Sequence, residues 1–155
     1  MPAAKLKEFL DSNKVKYDTI VHAHTITAQE TAESAHIPGR KLAKTVMVKL
    51  DGKMAMAVLP AHYKVDLDRL KECAGAKTVT MAGENEFKTM FPNCECGAMP
   101  PFGNLFGMDV YVATHLAEDD EIAFNAGTHS ELIRLAYKDF ERLVQPKICN
   151  FASAG

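Results

Sequence analysis

A chain of 155 residues, of which 47% are hydrophobic, is long enough to bury one core without metals or disulfides. Its formal net charge of −2 argues against a strongly basic nucleic-acid binder. No apolar run reaches the about 18 residues of a membrane span, and Met1–Lys5 does not resemble a signal peptide. We therefore expect a single domain over residues 1–155, located in the cytoplasm, with neither a membrane nor DNA as its partner.

The N-terminal elements are predicted from hydrophobic spacing and capping residues. Apolar residues at helical spacing indicate a helix over residues 3–12, and residues 17–21 read as a strand. Thr27 and Glu30 form a capping box, which predicts a helix that stops before Pro38.

The clearest local prediction is a β-hairpin in the middle of the chain. The β-type runs Thr45–Leu50 and Lys53–Leu59 are separated by Asp51-Gly52, the two-residue sequence of a type I′ turn. Such a turn joins neighbouring antiparallel strands.

The remaining elements follow from the same criteria. Asp66 is expected to cap a helix that Gly75 ends. Residues 130–136 fit a helix or a strand, and we favour a strand because a helix would bury Glu131 or Arg134. The tail over 151–155 is expected to fray. In all, the pattern predicts helices over 67–74, 84–90 and 138–144, and strands over 77–81, 108–113, 122–124 and 130–136.

Helices and strands interleave along the chain, but the tight hairpin excludes a purely parallel, doubly wound sheet. We predict an α/β fold of the mixed α+β type, with a mixed, largely antiparallel sheet flanked by helices.

Four cysteines do not form a disulfide framework in a chain of this size and composition, so we expect reduced thiols. Cys94 and Cys96, together with a histidine, leave open the hypothesis of a metal-binding protein. However, no second cysteine pair stands at zinc spacing. Our prediction is no metal and no cofactor.

Three features could carry chemistry. Gly97–Gly103 combines two glycines with two prolines, which fits either a stiff surface turn or a loop whose N–H groups hold a carbonyl. Lys44 precedes a buried strand and either points into solvent or faces a cleft. Gly127-Thr128-His129 forms a polar turn in which His129 is either structural or part of a site.

The basic residues between Arg40 and Lys64 form either a solvated surface or a face that binds phosphates.

Four motifs occur in order: Thr27-Ala28-Gln29-Glu30, Leu42-Ala43-Lys44-Thr45, Gly97-x-x-x-Pro101 and Asn125-Ala126-Gly127-Thr128-His129. Together they resemble the YbaK/prolyl-tRNA-synthetase-associated editing domain family, over about residues 21–146. The resemblance implies a mixed, partly barrel-like sheet. It also implies a trans-acting deacylase of mischarged aminoacyl-tRNA, often tRNA(Pro), that recognises the acceptor end and needs no cofactor. A synthetase partner stays open.

The same resemblance implies roles for individual residues. Lys44, Gly97 and Pro101 would be catalytic. An asparagine often follows the lysine in alanine-editing members, whereas here it is Thr45, so alanine is the first expectation and serine, threonine or cysteine stay open. The residues expected to contact the substrate are Ile20, Val21, Thr45, Ala98, Met99, Pro100, Phe102, Gly127, Thr128 and His129.

The familiar catalytic signatures, such as G-x-S-x-G or H-E-x-x-H, do not occur in the sequence. An aminoacyl ester is already activated, so orienting the ester, a water molecule and an oxyanion donor suffices for hydrolysis. The competing hypothesis is a non-catalytic adaptor that binds aminoacyl-tRNA or a synthetase.

Overall fold

The computed structural model of the protein describes residues 4–22, 37, 41–87, 90–91, 94–95 and 98–154. The helix predicted from Thr27 lies outside these residues. The helices are α1 (Ala4–Ser12), α2 (Leu67–Ala74), α3 (Glu84–Phe87), α4 (Thr114–Ala117) and α5 (Tyr137–Val144), with a 3₁₀ turn at Gly103–Leu105. The strands are β1 (Tyr17–Val21), β2 (Leu42–Leu50), β3 (Lys53–Pro60), β4 (Tyr63–Val65), β5 (Val79–Met81), β6 (Asp109–Ala113), β7 (Glu121–Asn125), β8 (Glu131–Ala136), β9 (Lys147–Cys149) and β10 (Ala152–Ala154).

The main sheet is mixed. Its strand order is β1-β8-β7-β2-β3-β6-β9, and β5 also pairs with β2. Pairs β1/β8, β7/β8, β2/β3 and β2/β5 are antiparallel, whereas β7/β2, β3/β6 and β6/β9 are parallel. Strands β4 and β10 form a separate antiparallel pair. The predicted mixed α+β class is therefore confirmed.

The β2–β3 hairpin is the centre of this sheet. Asp51 has φ 52° and Gly52 has φ 83°, and positive φ at both central residues is the property of a type I′ turn. The register pairs Leu50 with Lys53 at the turn and Lys44 with Leu59 near the open end. The hairpin prediction is confirmed, and β2 begins three residues before the predicted Thr45.

Other local predictions are confirmed as well. The Asp66 side chain accepts a hydrogen bond from the Arg69 N–H at 3.1 Å, and Gly75 ends α2 with φ 67°. Residues 131–136 form strand β8, which lies between β1 and β7. The strand preference over a helix at this segment is therefore correct.

At the centre of the sheet both faces are buried, as strand β3 shows. Met56 and Val58 face a core that also contains Phe102, Phe124 and Phe140, while Ala57 and Leu59 face a second core. A strand covered on both faces reads as a continuous apolar run rather than an alternating one.

Two predictions about the C-terminal part are wrong. The tail does not fray over its described residues, because Phe151 is fully buried and residues 152–154 pair with β4. Cys73 and Cys149 form a disulfide across a Cα–Cα distance of 6.1 Å, which is within bridging range. The expectation of reduced thiols is therefore wrong for these two, while Cys94 is a free cysteine.

Candidate active site

Strand register shows which residues of the neighbouring strands lie beside Lys44. Lys44 lies opposite Leu59 on β3, and Val58 pairs with Val112, so the next residue pair is Leu59 and Ala113. On the other side, β2 runs parallel to β7 with Ala43 beside Phe124. Strands β3 and β6 run opposite to β2, so the loops that follow them leave the sheet at the end where Lys44 lies. Strand β7 runs in the same direction as β2 and ends at Asn125, level with Lys44.

Lys44 is half-buried, and this changes the chemistry of its ammonium group. Its pKa is lowered from the ordinary lysine value, mainly because burial penalises the charged form. The positive charge of Lys64, which lies in strand β4, lowers the pKa of Lys44 further. A partly desolvated ammonium is a stronger electrostatic donor than one in open solvent.

The Gly127 turn holds the proline-rich loop by backbone hydrogen bonds. The Gly127 N–H donates to the Ala98 carbonyl at 2.9 Å, and the Glu95 N–H donates to the Gly127 carbonyl at 2.7 Å. The His129 N–H donates to Glu95 Oε1 at 2.5 Å. Gly127 has φ 99°, a conformation that favours glycine. This turn follows Asn125, where β7 ends level with Lys44 of β2, so the Ala98 loop is held at the C-terminal end of β7.

The described part of the loop is packed rather than exposed. Ala98, Met99, Pro100 and Pro101 are all buried. The Ala98 N–H donates to the Glu95 carbonyl at 3.0 Å, and the two prolines carry no N–H. Gly97 lies outside the described residues, so its predicted role stays a prediction.

Phe102 anchors this loop in the core. It is fully buried, and its ring centroid lies 5.4 Å from those of both Phe124 and Phe140. The next residue, Gly103, has no room for a side chain, because a Cβ there would lie 2.6 Å from Val110 Cγ2. Phe102 thus fixes where the loop sits instead of presenting its ring at the surface.

The other predicted contact residues divide into two groups. Ile20 packs on the small cluster that contains Leu42, two residues before Lys44 on the same face of β2. Thr45 alternates to the opposite face of the strand from Lys44, and Val21 is 79% exposed at the end of β1. The structure therefore places Ile20 on the side of the sheet that Lys44 shares with Leu42, and it joins the Ala98 loop to the Gly127 turn. Met99 and Phe102 pack in the cluster that contains Ala43 and Met47, which is on the Thr45 face of β2. The predicted roles of these residues in a site stay predictions. Thr128 is half-buried and His129 is buried.

Sequence reasoning did not single out Asn125 or Lys64. Asn125 Oδ1 is buried and accepts no hydrogen bond from any group in the described part of the chain. Asn125 belongs to the motif Asn125-Ala126-Gly127-Thr128-His129, but only the register of the neighbouring strands β7 and β2 shows that it lies beside Lys44. No local pattern could have brought Lys64 close to Lys44.

The structure offers little to a metal. Among the described residues, which include Cys94 but not Cys96, no group of three histidine, cysteine or carboxylate side chains could hold an ion. Burial raises the pKa of the Cys94 thiol, so it stays protonated at neutral pH and is a weak nucleophile. None of the helices in the described ranges is long and apolar enough to cross a bilayer.

Comparison with known proteins identifies the family of this chain. The aminoacyl-tRNA editing domain matches residues 22–143. The multifunctional Ser/Thr-tRNA deacylase ProXp-y of Escherichia coli K12 is 32% identical over 114 residues, which span 70% of this chain and 68% of that protein. A proline–tRNA ligase of Bacillus mycoides is 28% identical over 75 residues, 48% of this chain and 13% of the ligase.

Solved structures share the fold. A crystal structure described as a candidate trans-editing enzyme for prolyl-tRNA synthetase superposes with a TM-score of 0.83 at 18% identity, covering 98% of this chain and 97% of that one. The crystal structure of the hypothetical protein APE2540 gives 0.86 at 17% identity, covering 96% and 99%. At such low identity these likenesses establish the fold alone.

The chain belongs to the aminoacyl-tRNA editing domain family. Editing an aminoacyl-tRNA is hydrolysis of the ester between the amino acid and the terminal ribose, so the protein is an ester hydrolase that acts on aminoacyl-tRNA. The family resemblance of the four sequence motifs is thereby confirmed.

Proposed function

We propose that this protein is a trans-acting deacylase that removes a small, wrongly attached amino acid from the acceptor end of tRNA, with tRNA(Pro) as the first candidate. The single observation that carries the proposal is a half-buried Lys44 on the strand next to β7, whose following turn holds the Ala98–Phe102 loop by backbone hydrogen bonds. The relationship to a proline–tRNA ligase supports tRNA(Pro). Its place of action would be the cytoplasm, where tRNA is charged.

In the proposed reaction, water attacks the ester carbonyl carbon and the carbonyl oxygen becomes an oxyanion. Lys44 would donate to this oxyanion, because its charge is partly desolvated and therefore acts strongly. The neighbouring 2′-hydroxyl would relay the proton from the water to the leaving 3′-oxygen. The products are the free amino acid and the uncharged tRNA, and no covalent enzyme intermediate forms.

A second donor would come from the loop backbone. Pro100 and Pro101 have no N–H, and the Ala98 N–H already donates to Glu95. Within the described part of the loop this leaves the N–H groups of Met99 and Phe102, and we assign that of Met99 to the oxyanion because the Phe102 side chain is anchored in the core. Pro101 would act by fixing the loop conformation, and Gly97 would allow the backbone to approach the ester. Loss of one such donor typically lowers kcat by about 10²–10³-fold.

Selectivity for a small amino acid would come from the wall beside Lys44. Leu42 lies on the same face two residues earlier and packs with Ala61, Ala123 and Leu132, and Ile20 is half-buried against them. A compact apolar wall leaves room for a short side chain, although one methylene is worth only about 1–3 kcal/mol. The Escherichia coli relative is named as a Ser/Thr-tRNA deacylase, which supports serine and threonine alongside alanine.

The test is a panel of amino acids on a single tRNA. Purified protein, with no synthetase added, is incubated with tRNA(Pro) that carries labelled alanine, serine, threonine, cysteine or proline. We expect rapid release of one or more of the small amino acids and survival of Pro-tRNA(Pro). Protection of every ester against spontaneous hydrolysis would identify an adaptor and contradict the proposal.

A further inference from the structure

Asn125 is the immediate neighbour of Lys44 on the adjoining strand. In the parallel ladder between β2 and β7, Leu42 pairs with Ala123 and Ala43 with Phe124. One position further along both strands stand Lys44 and Asn125. Adjacent strands lie about 4.8 Å apart and side chains alternate between faces, so these two side chains share the face that Leu42 and Ala123 occupy.

The carbonyl oxygen of the Asn125 side chain is an exception among buried polar atoms. Oδ1 is buried, yet no group in the described part of the protein donates a hydrogen bond to it. Buried side-chain oxygens nearly always have a donor, and leaving one unmatched costs folding free energy. Apolar residues of the same volume would avoid this cost, so an unmatched acceptor next to a functional lysine indicates a donor on the ligand.

The chemistry of the substrate indicates which donor it is. In every aminoacyl ester, the α-amino group is attached to the carbon next to the ester carbonyl. A lysine that reaches the carbonyl oxygen therefore has the α-ammonium within reach of its neighbour. An amide oxygen accepts a hydrogen bond from an ammonium without adding a negative charge that would neutralise Lys44.

We propose that Asn125 Oδ1 is the subsite for the α-ammonium group of the aminoacyl moiety. This inference rests on the proposed deacylase function and assigns part of its specificity. It means that the enzyme recognises a free amino terminus. Esters whose nitrogen is acylated, the state of every peptidyl-tRNA, would be spared because the amide is bulky and has lost its charge.

The experiment compares three esters on the same tRNA: alanyl, N-acetylalanyl and propionyl, the last of which has no nitrogen. Each rate is corrected for spontaneous hydrolysis measured in parallel. The wild-type protein is expected to hydrolyse the alanyl ester at least about tenfold more efficiently, in kcat/KM, than either of the other two.

Two variants of Asn125 test the assignment. Asn125→Ala is expected to raise KM for the alanyl ester about tenfold and to leave the propionyl ester unchanged, so that the preference collapses. Asn125→Asp keeps an oxygen acceptor and adds charge attraction, so it is expected to retain the preference for the alanyl ester. Asn85→Ala, at an exposed position of helix α3, is the matched control and should behave as wild type.

The outcomes separate the two proposals. If the wild-type protein hydrolyses none of the esters, the deacylase function itself fails. If it hydrolyses them but Asn125→Ala retains the wild-type preference for the alanyl ester, the ammonium subsite is wrong. Should Asn125→Ala not fold, as judged by thermal melting, loss of the alanyl preference in Asn125→Asp would overturn the assignment equally.

Discussion

The two ends of the β2–β3 hairpin carry different kinds of polar group. At the turn, Asp51 Oδ1 accepts hydrogen bonds from the backbone N–H groups of Lys77 and Thr78 at 2.9 and 2.8 Å. Lys49, near the same end, pairs with Glu86 at 2.9 Å. At the open end, Lys44 is half-buried, and the charge that acts on it is another lysine, Lys64.

The two ends of the hairpin differ in what their polar groups contribute to the protein. Polar groups at the turn have their partners within the protein and lower the free energy of the folded state. The Lys44 ammonium is held in an environment that disfavours its charge, which is typical of functional residues. A single hairpin thus has one end whose polar groups are paired within the protein and one end whose lysine charge is disfavoured by its surroundings.

Replacement of Lys44 tests this contrast with the largest expected effect. Lys44→Ala should lower kcat for deacylation about 10²–10³-fold, because it removes the proposed oxyanion donor. It should not lower the melting temperature, because a half-buried charge is removed. Lys53→Ala removes an exposed lysine from the neighbouring strand and is the control. Equal activity of the two variants would show that Lys44 is not part of the machinery.

A matched pair of glycines compares the two regions through their backbone. Gly52 has φ 83° at the hairpin turn, and Gly127 has φ 99° in the turn that holds the loop. An alanine in the left-handed region costs roughly 1–2 kcal/mol. We expect Gly52→Ala to lower stability alone and Gly127→Ala to lower stability and, by about tenfold, kcat as well. Chemical denaturation and single-turnover deacylation check both.

Asp51 should contribute to the acid sensitivity of folding. Its pKa is lowered, first by the hydrogen bond from the Thr78 backbone. A carboxyl whose pKa is lower in the folded state stabilises the protein above its unfolded pKa, and this contribution disappears as pH falls through the folded value. In Asp51→Asn the melting temperature should therefore fall less between pH 7 and pH 3 than in the wild type, with kcat unchanged. An identical fall in both proteins would contradict this account.

The smallest expected effect concerns the like charge at the open end. Removal of Lys64 should raise the pKa of Lys44, because its repulsion lowers that pKa now. If the ammonium is the active form, the alkaline decline of the deacylation rate should shift to higher pH in Lys64→Ala by a fraction of a pH unit. The rates must be corrected for spontaneous ester hydrolysis. A shift to lower pH would assign the decline to another group.

Local sequence rules predicted one class of feature well. The Asp51-Gly52 turn, the Asp66 and Gly75 caps and strand β8 each depend on residues a few positions apart, and all were confirmed. The short strands β4, β9 and β10 were missed, because each is formed by pairing with distant segments rather than by its own pattern. The burial of Phe151 was missed for the same reason, because it depends on packing against residues that are distant in the sequence.

The candidate site also contains features that the local sequence predicts and features that depend on tertiary structure. Lys44, the proline-rich loop and the Gly127 turn could be recognised as motifs, and the structure shows that the loop and the turn are joined by backbone hydrogen bonds. The divergence of Thr45 from Lys44 follows from strand alternation, which ordering motifs along the chain did not take into account. The positions of Asn125 and Lys64 depend on parallel register and on the β3–β4 connection, which are tertiary features.

The central claim, that the Lys44 ammonium contacts the ester carbonyl, can be measured directly by NMR of the lysine side-chain nitrogens. The ligand would be alanine joined through an amide to 3′-amino-3′-deoxyadenosine, which resembles the charged end of tRNA but resists hydrolysis. We predict that saturation with this ligand shifts the Lys44 Nζ signal and leaves the Lys49 and Lys53 signals unmoved. Saturable binding without any change at Lys44 would contradict the account.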